Sequence, residues 1–342
     1  LAPLAEYERR AGRDDAPWEK VGDGAKNPHV FPYVVTGGAS APDRNFYDAL
    51  NQSPFTNDLL VSFAEQAIVN EGLGADEDTD VLTISFSAND IVGHRFGPYS
   101  HEVMDITLRT DKQIEQLLNI VNARVGLRNT VVVFSADHAV APAPEHAREI
   151  RLPGGRVRVT DLMNAVRNRF KEHFKRPAGG GESATDEYVQ TYSNGHIYLN
   201  RAALERDGIS REEAERVAGE AALTVPGIAR FFTRTQLATG SISPADAVAR
   251  RALHGFNARR SGDVVIVQEP YKYVTDYQTV ATHGSAYAYD THVPLIIMGA
   301  GVARGTYTEA ATPADIAPTL ARLLGVQTPS SAVGRVLLEA LR

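Results

Sequence analysis

Cysteine does not occur in this sequence of 342 residues, and its absence removes three kinds of chemistry at once. No disulfide braces the fold, no thiolate binds zinc and no cysteine nucleophile exists, so any metal must be held by His, Asp and Glu. An excess of positive charge is lacking too: 35 Lys and Arg stand against 42 Asp and Glu, a formal charge of −7. That balance argues against a general binder of nucleic acid or of membrane surfaces, both of which need clustered cations. A small anionic substrate, guided locally, is still allowed. Uninterrupted apolar runs of the roughly 18 residues that span a membrane are missing, and Leu1 opens no basic-then-apolar leader. Because Leu1 is not Met, further sequence is expected to precede it. What is present is 43% hydrophobic residues with charge spread along the chain, enough for a large core and roughly two domains.

Residues 1–55 mix Pro, Gly and charge without a sustained period, which predicts a connecting segment packed on a core built elsewhere. Asn57-Asp58 reads as the cap of a helix whose Leu59, Leu60, Phe63, Ala67 and Ile68 form one apolar face. The runs Val81-Leu82-Thr83-Ile84-Ser85-Phe86 and Thr130-Val131-Val132-Val133-Phe134 predict buried parallel strands, with a crossover helix over 102–121 between them. A third run, Val293 to Met298, precedes a helix over 313–324. Together these predict an α/β fold, a doubly wound and mostly parallel sheet formed by 56–153 and 281–342. The stretch 154–280 changes texture. Helices near 160–174 and 210–222 and short strands near 195–200 and 263–268 predict an inserted α+β subdomain, with Gly179-Gly180-Gly181 as a flexible connection.

In open α/β sheets, functional groups gather beyond the carboxyl ends of the strands. Two of the apolar runs end in an Asp with a His close behind. Asp90-Ile91-Val92-Gly93-His94 sets a carboxylate and an imidazole four residues apart on an expected strand-to-loop turn, and Asp137-His138 sets the same pair side by side. Carboxylate oxygen and imidazole nitrogen suit zinc at about 2.0–2.2 Å. An Asp after a strand is also a routine turn residue and a lone His is more often packed, but two such pairs, with His283 before a further core strand, form a joint pattern. Elsewhere the residues read as structural. His292 and Asp290 are expected to bond locally, and His101 and His146 to lie at the surface. His29, His173, His196 and His254 have no acidic partner at ligand spacing. Tyr271, Tyr273 and Tyr277 are read as packing, Arg95 as a solvated loop residue, and Thr36-Gly37-Gly38 as a solvent loop and not a phosphate loop.

The segments Phe86-Ser87-Ala88-Asn89-Asp90-Ile91-Val92-Gly93-His94-Arg95-Phe96-Gly97-Pro98-Tyr99-Ser100, Phe134-Ser135-Ala136-Asp137-His138 and Thr282-His283-Gly284-Ser285-Ala286-Tyr287 resemble the bacterial phosphate-irrepressible alkaline phosphatases. These belong with the type I phosphodiesterases and nucleotide pyrophosphatases of the alkaline phosphatase superfamily. Asp290-Thr291-His292-Val293-Pro294-Leu295, Pro313-Ala314-Asp315-Ile316-Ala317-Pro318-Thr319-Leu320 and Arg260-Ser261-Gly262-Asp263-Val264 extend the likeness, which covers nearly the whole chain after Phe55.

The resemblance implies two zinc ions, one on Asp90, His94 and His283 and one held in part by Asp137 and His138. It implies an alkaline-phosphatase-like core whose N-terminal part lies outside this chain, together with the attacking Thr or Ser, so that no catalytic nucleophile falls within these residues and the chain alone is expected to be inactive. The implied activity is hydrolysis of phosphate monoesters through a covalent phospho-Thr or phospho-Ser. The alternatives are a phosphodiesterase or nucleotide pyrophosphatase with the same two metals, or an inactive metal-binding fragment. The implied partners are small phosphate esters and the missing N-terminal segment, and the implied location is the periplasm or the outside of the cell. One departure stands inside the motifs: Ala139 follows His138 where relatives usually carry Gly, so either that turn is right-handed here or it is strained.

Overall fold

The computed structural model describes residues 4–20, 30, 33, 35–36, 38, 40–174, 186–276 and 279–342. The Gly179–Gly181 run, His29, Gly37 and Tyr277 lie outside them. The chain divides into two compact units, one built from residues up to Val140 and again from His292, the other spanning Ala141–Thr291. No helix among the described residues is long and apolar enough to cross a membrane.

In the first unit the helix Phe55–Asn70 begins two residues before Asn57. Asn57 is buried instead of capping: its Nδ2 donates to Asn89 Oδ1 at 2.9 Å and to Thr110 Oγ1 at 3.2 Å, while the Thr110 hydroxyl donates to Asn89 Oδ1 at 3.1 Å. This polar knot joins three helices, Phe55–Asn70, Ala88–Phe96 and His101–Arg124. Val61, Ala64 and Ile68 are buried with Asn57, whereas Leu59 and Phe63 are 59% and 73% exposed. The face expected to be buried is therefore mostly the outer one, because the unit packs around Asn57 and not around the most apolar line.

The long helix expected over 102–121 runs from His101 to Arg124, with the Ser100 hydroxyl accepting from Val103 N at 3.2 Å at its start. The run 81–86 enters no strand ladder and is largely exposed, contrary to the buried parallel strand expected there. The run after Thr130 does form a strand, Val131–Ser135, which pairs antiparallel with Leu295–Gly299 in the register Val131↔Gly299 to Ser135↔Leu295. The third helix prediction resolves into a 3₁₀ turn, Pro313–Asp315, followed by Ile316–Leu324, which stops at Gly325 in the left-handed region (φ 65°).

The second unit carries the α+β texture read from its sequence. Its four-stranded antiparallel sheet has the spatial order Val189–Ser193, His196–Leu199, Val264–Gln268, Ile228–Thr233. Helices Val159–His173 and Arg211–Ala222 pack on it, so that Leu162, Val166, Phe170, Val217, Ile197 and Val264 join one core with no exposure. Gly219 is required there. A Cβ at that position would stand 2.1 Å from the Phe231 ring, so only glycine lets the helix lie this close to the sheet. Asp263, 1% exposed, accepts from Leu199 N at 2.9 Å and from Arg201 Nε at 3.0 Å. A separate parallel pair joins Gly155–Val157 to Lys272–Val274. Tyr273 is buried and its hydroxyl donates toward Ala141 O (3.0 Å) and Pro142 O (2.9 Å), and Tyr271 stacks on Tyr289 at 4.5 Å.

Candidate metal centre

The first motif sits on a helix and not on a turn. Ala88, Val92 and Phe96 recur every four residues and are buried with Ile106, which commits one side of the helix Ala88–Phe96 to the core. At 100° per residue, Asp90 and His94 fall about 200° round from Ala88 and Val92 and share the opposite side. Gly97 then ends the helix at φ 87°, its N–H donating to Gly93 O at 2.9 Å. Arg95, expected in a solvated loop, pairs with Gln52 and lies over the Phe96 ring at 5.4 Å.

This helix brings the first motif to the second. His94 Nε2 lies 3.4 Å from Asp90 Oδ2, His138 Nε2 lies 3.8 Å from Asp90 Oδ1, and His138 Nε2 lies 3.6 Å from Asp137 Oδ2. These spacings can be set against the needs of an ion. Two ligands about 2.1 Å from one tetrahedral cation stand roughly 3.4 Å apart, so imidazole nitrogens and carboxylate oxygens at 3.4–3.8 Å are spaced as co-ligands. The tautomer agrees. His138 Nδ1 is 3.1 Å from Ala139 O, and a carbonyl only accepts, so Nδ1 carries the hydrogen and the Nε2 lone pair of the neutral ring faces the carboxylates. The Asp137 carboxylate also accepts from His138 N at 3.1 Å and is 90% exposed, against 35% for Asp90. Two carboxylates and two imidazoles without a thiolate are a donor set that zinc accepts.

His283 lies in the second unit, half-buried, directly before Gly284 (φ 103°). The buried Asp290 accepts from Ser285 N at 2.8 Å, the local bonding expected of it. Ala139 is in ordinary backbone: Arg151, Asn194 and Tyr271 are the non-glycine residues with positive φ among the described ones, so the departure from Gly carries no strain. Of the other histidines, His146 sits 3.3 Å from Glu149 Oε2 and His173 is 2.8 Å from Glu213 Oε1, an acidic partner that spacing in the sequence could not reveal. Burial lowers the His196 pKa, and its Nδ1 accepts from Gly262 N at 3.3 Å.

His101 is not a surface residue. It is 4% exposed, with Nε2 2.9 Å from Gly12 O and Nδ1 3.5 Å from Asp14 Oδ1. Beside it, Asp14, Glu19 and Glu102 are all buried, with oxygens within 4.8 Å of one another. The Tyr33 hydroxyl donates to Glu102 Oε1 at 2.5 Å. Burial pushes the Glu102 carboxyl up to about 7, with the Asp14 charge adding and the Tyr33 bond opposing; burial and the Glu102 carboxylate push the Tyr33 phenol upward as well. Sequence reading missed this cluster because its members are far apart and each looks like an ordinary surface acid.

With this geometry in hand, similarity to known proteins is informative. The profile of the type I phosphodiesterase / nucleotide pyrophosphatase family matches residues 24–286. The chain is 28% identical over 342 residues to alkaline phosphatase PafA of Elizabethkingia meningoseptica and 29% identical over 352 residues to alkaline phosphatase PhoV of Synechococcus elongatus, covering 100% of this chain but 59% and 58% of those proteins. The crystal structure of wild-type PafA superposes with a TM-score of 0.85 over 100% of this chain and 62% of that one. Murine ectonucleotide pyrophosphatase / phosphodiesterase 5, at 14% identity and a TM-score of 0.54, shares the fold. The chain thus spans about three fifths of the length of the curated relatives it matches.

Proposed function

We propose, for a chain that belongs to the type I phosphodiesterase / nucleotide pyrophosphatase family, that its gene product hydrolyses phosphate monoesters at a zinc centre to which Asp90, His94, Asp137 and His138 contribute. The carrying observation is the set of imidazole–carboxylate spacings of 3.4–3.8 Å in a chain that has no thiolate to offer. The family resemblance adds His283 as third ligand of the ion on Asp90 and His94, and divides the donors between two ions. When bound, zinc supplies positive charge that neutralises a phosphoryl group and lowers the pKa of an attacking hydroxyl.

The chain's own residues supply orientation. The helix Ala88–Phe96 holds Asp90 and His94 in fixed register, and the Ala139 carbonyl fixes the His138 ring. The resemblance assigns attack on phosphorus, with a covalent phospho-Thr or phospho-Ser, to a residue outside these 342, so this chain by itself is expected to bind zinc and release no phosphate. The same likeness leads us to expect export to the periplasm or beyond.

Two measurements test this. In a calorimetric titration of the metal-stripped chain with zinc, Asp90→Ala and His138→Ala should each weaken binding by at least about 10–100-fold; unchanged affinity in both would overturn the metal reading. In the whole gene product, release of nitrophenol from p-nitrophenyl phosphate should stop on chelation and return with zinc, and full activity of metal-free enzyme would overturn it. A diesterase reading is favoured by the family's description, while the 28–29% relatives covering the whole chain are named alkaline phosphatases. The rate on the monoester divided by that on its methyl diester decides between them.

A further inference from the structure

The first unit leaves its most apolar elements uncovered. The strands Val131–Ser135 and Leu295–Gly299 read Val-Val-Val-Phe-Ser and Leu-Ile-Ile-Met-Gly, yet neither contains a buried residue. Phe134 faces Ile296 directly across the ladder, and Met298 lies two residues on, so the three share one side of the sheet. They are 39%, 55% and 37% exposed. In the run 81–86, rich in β-branched and aromatic residues, Val81 is 70% and Leu82 42% exposed, with no ladder partner among the described residues. The helix Phe55–Asn70 adds a second apolar line, Phe55, Leu59 and Phe63, at 43%, 59% and 73%. Soluble monomers rarely expose such elements together, and an open ladder edge invites another strand.

We infer that these three surfaces dock a further α/β segment of the same gene product, which lays at least one β-strand beside the run 81–86 and covers the Phe134–Ile296–Met298 side of the sheet. Two observations favour this occupant over a second copy. About two fifths of each matched relative lies outside the matched region, which is ample for several strands and helices. The uncovered elements also differ in kind: a helix face needs side chains, and the run 81–86 needs backbone donors and acceptors. The docking stands without the metal reading. Its consequence rests on that reading: the runs 81–86 and 131–135 lead straight into Asp90 and Asp137, so a strand inserted beside them would deliver its own end residues to the same edge.

Hydrogen exchange read by mass spectrometry on the 342-residue chain and on the whole gene product tests the docking. Peptides covering 81–86 should exchange at near-coil rates in the chain and at least about 100-fold more slowly in the whole product. Ile296→Lys should leave the melting temperature of the chain unchanged and lower that of the whole product. Equal exposure of 81–86 in both proteins would overturn the inference. So would protection in the chain alone that grows with concentration, together with a dimer in sedimentation, since the occupant would then be a second copy. Either result is separable from failure of the zinc reading, which is measured by metal binding and phosphate release.

Discussion

The two sheets make an instructive contrast. In the second unit, Val264–Gln268 buries Val264, Ile266 and Val267 beneath helices whose own Leu162, Val166 and Val217 are fully buried. In the first, the equally apolar Leu295–Gly299 buries nothing. Hydrophobic composition therefore does not tell a finished core from an unfinished one. The difference lies in whether a covering layer is supplied, and the second unit supplies its own from consecutive helices and strands.

Substitutions can break or sharpen this contrast. The largest effect is expected from Leu162→Ala in the closed core, which should cost about 2–5 kcal/mol in urea unfolding because the site is packed on all sides; a cost below about 1 kcal/mol would show that core to be loose. Next comes the buried acid cluster of the open unit. Burial raises the Glu102 pKa from 4.5 to about 7 in the fold, so the folded state holds a proton that the unfolded chain has lost. That contribution to stability is full below pH 4.5 and is lost as pH climbs through about 7, a fall on the order of 1–3 kcal/mol. Glu102→Gln should flatten this slope and stabilise the protein at pH 8, and an unchanged slope in unfolding measurements from pH 4 to 8 would refute it. Ile106→Val, in the small cluster beneath the metal-bearing helix, should cost about 0.5–1.5 kcal/mol by the same denaturation assay. Phe63→Ala should lie within about 0.5 kcal/mol in this chain, although phenylalanine in a buried setting would cost several times more. A large loss would mean that the outer line of its helix is already covered.

Much of the candidate site was legible because its signal is local. Asp90, His94, Asp137 and His138 each follow an apolar run, and their residue types alone pointed to a hard or borderline cation. What was not legible depends on partners. Alternation and β-propensity mark 81–86 as a strand but say nothing of whether a neighbour is present to pair with it. The segment Ala88–Phe96 read as a turn because Asn89, Asp90 and Gly93 are weak helix formers; burial of Ala88, Val92 and Phe96 outweighs that preference. His101 looked solvated on a charged helix and is instead held by Asp14 and a backbone carbonyl from a segment without sequence periodicity. In the second unit, where helices and strands are sequential and self-covering, the expected elements fall within a residue or two of their positions.

The helical placement of Asp90 and His94 makes their alignment a matter of phase. Inserting one residue among Ile91, Val92 and Gly93 would preserve every donor while swinging the imidazole about 100° round the axis, away from the carboxylate and toward the side now occupied by Val92 and Phe96. Length variation at this point is thus far less tolerable than exchange of side chains, and a gene that drifts freely elsewhere is constrained here to keep the count between those two ligands.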